Sequence, residues 1–269
     1  MSEPTVLFLL GITQRSGTAY FGDLLSRHPD IKMRPPLWED FLLERIGPVT
    51  DFAAGITGLW RDRWDLDEAE TNRFIRSLGG GIESFFTERA TTRYVLLKTP
   101  TVDNVRFTPL FFPRSPVVLL VRDGRAVIES ARLSFGWTDE KVTRRWLQGG
   151  RQILDFMADA AESGPPRLLV RYEDLVTDTE GQLRRLFGAL GLDPEVYDYT
   201  RAAELPVYGS SVARGGADTV HWNPVTRPDG FNPLGHHRRN WTPQRMAAFA
   251  AVAGEVLSAL GYPPEYGTG

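Results

Sequence analysis

The sequence predicts an α/β fold: a central parallel β-sheet flanked by helices, stacked as a three-layer sandwich. Three observations predict it. Short apolar runs recur along the chain and stop at Gly11, Lys98, Arg122 and Arg171. Helix-length segments with one apolar face alternate with them. Strands apolar on both sides need cover on both faces, which crossover helices supply. At 269 residues the chain suits one domain over 1–269, with 35–90 and 194–240 as elaborations forming the acceptor side and a lid.

The elements follow in order. Val6–Leu10 reads as a buried strand ending at Gly11. The segment from Gly17 to about Arg27 reads as a helix, because Tyr20, Phe21, Leu24 and Leu25 share a face. His28-Pro29-Asp30 ends it. Residues 35–90 are less regular, with helices expected near 67–78 and 82–90, divided by Gly79-Gly80-Gly81. Tyr94–Lys98 and Pro116–Val121 are the second and third strands. A helix follows from Gly124 to Leu133, and a long one from about Asp139 to Glu162. Arg167–Val170 is the fourth strand, and Thr179–Leu190 is helical. Residues 194–240 are rich in Pro, Gly, Asn and His and read as extended loop. Thr242-Pro243 starts a last helix with a cap residue followed by proline, running to about Leu260.

Composition narrows the function. A net charge of −3 gives no basic field for nucleic acid. The absence of cysteine excludes disulfides and thiolate metal sites, and the four histidines show no ligand spacing, so no metal is expected. Val6–Gly11 is too short to span a membrane, and Ser2-Glu3-Pro4 is not the start of a signal peptide; a cytoplasmic protein with no membrane span is the expectation. Of 31 basic residues only Lys32, Lys98 and Lys141 are lysines, which makes each worth inspecting.

The stretch "FLLGITQRSGTAYF" from Phe8 is strand, loop and helix start. Unpaired N–H groups at a helix N-terminus, with the dipole's positive end, bind anions. Gly17 permits a tight turn and close approach, Arg15 adds a cation, and Ser16 and Thr18 add hydroxyls. The nucleoside-triphosphate loop needs a lysine between its second glycine and the hydroxyl residue. Here Thr18 follows Gly17 directly, so the loop is P-loop NTPase-like without being one.

The second motif is "VVLLVRDGRAVIES" over Val117–Ser130. Asp123 occupies the place of a magnesium-holding aspartate, but Arg122 before it suits an anion better. Ser130 lies eight residues on, about two turns into the next helix. Arg122 and Ser130 can therefore share one phosphate. The plain alternative is a surface Arg-Asp pair and an ordinary helical serine. Taken together, the two motifs imply one nucleotide with two separated anionic groups, held at the carboxyl edge of a parallel sheet.

At this point the chain resembles the PAPS-dependent sulfotransferase family, including its bacterial members. PAPS carries a 5′-phosphosulfate and a 3′-phosphate. "QRSGTAYF" is similar to the family's 5′-phosphosulfate loop, with Arg15 at the basic position, and "RDGRAVIES" to its 3′-phosphate motif. "RYEDLV" at 171–176 is similar to a segment whose tyrosine lies near adenine. The resemblance runs from about Val6 to the final helix and implies a P-loop-like sulfotransferase fold. It departs at Ala19, where the family usually has a hydroxyl residue.

The resemblance implies transfer of a sulfuryl group from PAPS to a hydroxyl of a small-molecule alcohol or phenol, leaving PAP. The implied nucleotide contacts are Arg15, Ser16, Gly17, Thr18, Ala19, Tyr20, Arg122, Ser130, Tyr172, Ser211 (beside Ser210) and Arg238 (beside Arg239). Arg15 and Lys98 are the cations for developing charge. The histidine that some members place after Lys-Thr is replaced by Pro100, so a carboxylate base is expected within "KMRPPLWEDFLLERI". Glu39 is the choice, with Asp40 next and Glu44 also present. Trp38, Trp60, Trp64, Trp137 and Trp222 are candidate acceptor walls. A homodimer is left open. Two rivals remain at this level: a kinase-like phosphotransferase and a nucleotide-binding module without catalysis.

Overall fold

The computed structural model describes residues 3–160, 164–203, 205, 207–208, 224–226, 232–235 and 240–263. In chain order the strands are β1 (Thr5–Gly11), β2 (Ile31–Met33), β3 (Tyr94–Thr99), β4 (Val117–Val121) and β5 (Arg167–Arg171). They form one sheet in the order β2-β3-β1-β4-β5, and every pairing is parallel. The short β6 (Val207–Tyr208) and β7 (Pro224–Val225) pair antiparallel on their own.

Alternation along each strand feeds two cores. Val6, Phe8 and Leu10 of β1 face one side with Leu119 and Val121. Leu7 and Leu9 face the other with Leu96, Val118 and Leu120. The second side is covered by α1 (Thr18–Ser26), through Phe21, Leu24 and Leu25, and by α8 (Thr179–Ala189), through Leu183, Leu186 and Phe187. The first side is covered by α5 (Gly124–Phe135), α6 (Asp139–Ala158) and α10 (Pro243–Ala259). Here Trp146 is completely buried, and its indole N–H donates to the Arg122 carbonyl at 2.9 Å.

Region 35–90 is more regular than its sequence suggests. It holds α2 (Gly47–Trp64) and α3 (Glu68–Thr87), and just before it the three-residue edge strand β2. The expected break at Gly79-Gly80-Gly81 is absent, and α3 runs through all three glycines. The reason lies in a neighbour. A Cβ at Gly79 would fall on the backbone carbonyl of Phe111, at the end of α4 (Thr108–Phe111). Glycine is required there for helix contact and does not interrupt the helix. Inward-facing Glu83 of the same helix accepts from the Thr5 hydroxyl and, at 3.3 Å, from the Val6 N–H, anchoring α3 to the start of β1.

Two smaller corrections follow. The long helix α6 ends at Ala158, short of Glu162, which lies outside the described residues. The segment expected as loop after 194 begins with a 3₁₀ turn at Pro194–Val196 and α9 (Tyr199–Ala203). The His28-Pro29-Asp30 turn is architectural. His28 is fully buried, its Nδ1 accepts from the Asp30 N–H at 3.1 Å, and its Nε2 lies 3.0 Å from the Asp193 carbonyl. Those partners assign the proton to Nε2.

Candidate active site

Parallel pairing brings the carboxyl ends of β1, β3, β4 and β5 to one edge of the sheet, where open α/β sheets bind ligands. Each strand delivers one part of the site there. The loop 12–17 follows β1, Lys98 and Thr99 end β3, Arg122 follows β4, and Tyr172 follows β5.

The loop after β1 is shaped from within. The buried Ser16 hydroxyl accepts from the Thr13 N–H at 3.2 Å and donates to the Thr13 carbonyl. Its side chain thus braces the turn. Arg15 has φ 74 and Gly17 φ 101, both left-handed. Such turns arrange N–H groups into anion-binding concavities. Helices α3, α5, α6, α8 and α10 each begin with a side chain accepting from a first-turn N–H. Helix α1 begins at Thr18 after the N-cap Gly17 and, like α2, has no side-chain cap, so no side chain takes up its first amides. Thr18 is buried, Ala19 is exposed and Tyr20 is half-buried.

Two bonds tie this loop to the second motif. Arg15 Nε donates to Ser130 Oγ at 3.0 Å, and Arg122 donates to the Arg15 carbonyl at 3.0 Å. Residues from positions 15, 122 and 130 therefore meet at one place. Arg122 Nε is buried without a hydrogen-bond partner. Tyr172, 8% exposed, underlies this junction: the Arg122 guanidinium carbon sits 4.4 Å from its ring centroid, and its ring edge fills the space a Cβ on Gly17 would need. Tyr20 meets the same ring edge-on at 6.4 Å. Tyr172 thus packs against both Gly17 and Arg122.

Asp123 is committed elsewhere. Its carboxylate caps α5 through the Arg125 N–H at 2.9 Å and grips the Arg125 side chain at 2.8–3.2 Å. Arg125 is buried and also donates to the Pro263 carbonyl at 2.9 Å. Glu173 accepts from the Asp123 N–H and from the Tyr262 hydroxyl. Burial pushes the Glu173 carboxyl above its ordinary range, opposed chiefly by the Arg122 charge. Among the described residues no group of three His, Asp or Glu is placed to hold a metal ion.

Lys98, Glu39 and Asp40, the candidates for the transfer step, come together at the end of β3. Lys98 is 7% exposed, and its stem crosses Gly22 of α1, where a Cβ would lie 2.9 Å from Lys98 Cδ. Its ammonium pairs with Glu39 Oε1 at 3.2 Å. Asp40 lies beside this pair, its carboxylate bonded to the Leu42 N–H and the Thr99 hydroxyl. Burial pushes the Asp40 carboxyl up, while those two bonds and the Lys98 charge oppose the shift. Glu44 is turned to the Thr101 hydroxyl at 3.3 Å. Leu37, Trp38 and Phe41 flank Glu39 in sequence and are 40%, 61% and 38% exposed.

The other tryptophans disperse. Trp60 and Trp64 line an open cleft of about 660 Å³ on α2 and α3, to which no nucleotide or transfer residue contributes. Trp137 lies under Lys141 and Arg145. Ser210, Ser211, Trp222, Arg238 and Arg239 lie outside the described residues.

Comparison with known proteins follows the same lines. Residues 7–196 match the family model described as the sulfotransferase family. The chain belongs to the sulfotransferase family. Protein-tyrosine sulfotransferase A of Caenorhabditis elegans is 25% identical over 287 aligned residues, covering 96% of this chain and 69% of its own. Against other curated relatives the chain spans about half of their length or less. Among solved structures, the sulfotransferase domain of the Synechococcus PCC 7002 olefin synthase superposes with a TM-score of 0.64 at 22% identity, covering 97% of this chain and 96% of its own. Mouse sulfotransferase SULT7A1, solved with PAP, gives 0.53 at 15% identity over 96% and 84% of the two chains. Both share the fold: a parallel central sheet between helices.

Proposed function

We propose that this sulfotransferase moves the sulfuryl group of PAPS to the hydroxyl of a small-molecule alcohol or phenol. The observation that carries the reading is the junction of Arg15, Arg122 and Ser130 at one edge of the sheet, with the Lys98–Glu39 pair at the end of the neighbouring strand β3. The α1 amides and the 12–17 loop take the 5′-phosphosulfate. Arg122 and Ser130 take the 3′-phosphate, with Arg15 between the two. PAP in the mouse neighbour supports the choice of nucleotide.

In the reaction the acceptor oxygen attacks sulfur in line, the bond from sulfur to the bridging oxygen breaks, and PAP departs. The protein's contribution is position and charge. Glu39 takes the acceptor's proton. Lys98 offsets negative charge on the sulfuryl and bridging oxygens. Exposed Leu37, Trp38 and Phe41 beside Glu39 favour an acceptor with an apolar or ring-bearing body. The occupation of Asp123 by Arg125 argues against the kinase-like alternative, because a magnesium-holding aspartate there would already be neutralised.

The test is transfer of radiolabelled sulfate from PAPS to a panel of alcohols and phenols, with release of PAP to water as background. Glu39→Gln is expected to lower kcat by about 10²–10⁴-fold, the usual contribution of a positioned base. PAP affinity should stay within about twofold, since Glu39 makes no bond to the nucleotide cradles. A Glu39→Gln enzyme with unchanged turnover removes Glu39 from its role.

A further inference from the structure

Neighbouring residues of the Glu39 loop pair with neighbouring residues of β3. Glu39 meets Lys98 at 3.2 Å, and Asp40 meets Thr99 at 3.1 Å. The backbone adds a third tie, from the Asp40 N–H to the Lys98 carbonyl at 3.3 Å. The loop is thereby stitched to the strand end in register, across 59 positions of sequence. Further ties lie on either side, at Arg34 against Phe85 and at Leu43 and Glu44 against Asn104 and Thr101, but the stretch leading into Glu39 is open. Pro35, Pro36, Leu37 and Trp38, on the approach to Glu39, are all exposed.

We propose that Asp40 is a positioning residue, which holds Glu39 against Lys98 by clamping its loop to Thr99. This rests on the sulfuryl-transfer reading for its kinetic consequences, although the clamp itself does not. Asp40 is the natural competitor of Glu39 for the part of base, and its surroundings assign it differently. Oδ1 accepts from the Leu42 N–H at 2.8 Å, which turns the chain after the loop, and Oδ2 accepts from Thr99. Both oxygens are engaged with the fold. Among the described residues Glu39 pairs with the Lys98 ammonium alone, and its side chain is 37% exposed, within reach of a substrate. The two carboxylates thus divide the work by environment: the outer one reacts and the inner one fixes where the outer one stands. A displacement of about 1 Å at a reacting group lowers rate by about 10²-fold.

The chemistry of the clamp sets the variants. Asparagine can satisfy both partners, accepting from Leu42 with its oxygen and donating to Thr99 Oγ1 with its nitrogen. Alanine satisfies neither. Thr99→Val removes the other half of the clamp and keeps the side chain's shape.

Two measurements test the proposal. In steady-state sulfuryl transfer, Asp40→Ala and Thr99→Val should each lower kcat by about 10–100-fold with KM for PAPS within about twofold. Asp40→Asn should recover to within about threefold of the wild type, and the double variant should be no slower than Asp40→Ala alone. The second measurement needs no turnover. The chain has only three lysines, Lys32, Lys98 and Lys141, so acetylation followed by mass spectrometry reads Lys98 individually. Lys98 should acetylate several-fold faster in Asp40→Ala and Thr99→Val, but not in Asp40→Asn, while Lys32 and Lys141 keep their rates. An Asp40→Asn enzyme as slow as Asp40→Ala would make Asp40 a reacting carboxylate and overturn the proposal. So would a Lys98 labelling rate that ignores all three substitutions. A wild type that transfers nothing from PAPS defeats the functional reading instead, and the labelling still decides the clamp.

Discussion

Gly17→Ala tests the junction beneath the nucleotide cradles, and its cost can be worked out from the structure. Two separate penalties apply. Gly17 has φ 101, a conformation that a residue with a Cβ adopts at a cost of about 1–2 kcal/mol. The new Cβ would also lie 2.5 and 2.6 Å from two ring carbons of Tyr172. Tyr172 cannot simply withdraw, because Arg122 lies over its ring at 4.4 Å and the side chain is buried. Forcing a methyl group into such a contact costs about 1–3 kcal/mol. The sum is about 2–5 kcal/mol, which lowers Tm by roughly 4–20 °C at 2–4 °C per kcal/mol for a domain of this size. Thermal unfolding measures the total, and titration calorimetry with PAP measures the loss of binding, expected at tenfold or more. The two penalties separate in a Tyr172→Ala background. There the steric part vanishes, and Gly17→Ala should cost only the torsional ~1–2 kcal/mol. An unchanged Tm, or an equal cost with and without the Tyr172 ring, would refute the packing argument.

Three other predictions bear on different parts of the site. Because the Asp123 carboxylate is satisfied by buried Arg125, EDTA should leave sulfuryl transfer intact; a strict Mg²⁺ requirement would favour phosphotransfer. Asp123→Ala removes the carboxylate paired with the buried Arg125 guanidinium and should destabilise by about 3–5 kcal/mol, read by denaturant unfolding. Glu129, next to Ser130, carries the third. Burial acts to raise its carboxyl, but bonds from Arg245, Arg132 and Asn240 outweigh this and hold it below the ordinary range. A depressed carboxyl stabilises the fold above its unfolded value and loses that contribution as pH falls through the folded value. The Tm advantage of wild type over Glu129→Gln should therefore be complete near neutral pH and shrink below about pH 4.5; an advantage that grows on acidification contradicts the assignment.

What was legible in the sequence follows from where the causes lie. Strands β1, β3 and β4 are readable because both of their faces are buried and their runs are apolar up to the ends, while β5, half-buried at the sheet edge, is readable from the apolar Leu168–Val170 between two arginines. The strand–loop–helix form at 5–26 and the start of α5 after β4 are readable because glycine and a capping aspartate mark them locally. The path of α3 is not, since the reason for Gly79 is the Phe111 backbone, more than thirty residues away. Helix α2 is obscured by exposed Phe52, Leu59 and Trp64, which blur its apolar face. Edge strand β2 has only three residues, too few to show a period. Within the site, Lys98 and Glu39 were accessible as types, but their pairing and the Asp40–Thr99 clamp span 59 positions and exist only in the fold. The packing of Tyr172 against Gly17 and Arg122 was equally hidden. Its neighbours Gly17 and Arg122 lie on other strand ends, and only parallel pairing brings them together.

The central claim is that one nucleotide bridges the α1 loop and the Arg122–Ser130 corner. Calorimetric titration of PAP and of 5′-AMP, into wild type and into Arg122→Ala, tests it most directly. PAP should bind wild type at least tenfold tighter than 5′-AMP, since charge-assisted bonds to the 3′-phosphate contribute about 1.5–3 kcal/mol each, and Arg122→Ala should erase most of that preference. Equal affinity of wild type for the two nucleotides would contradict the account.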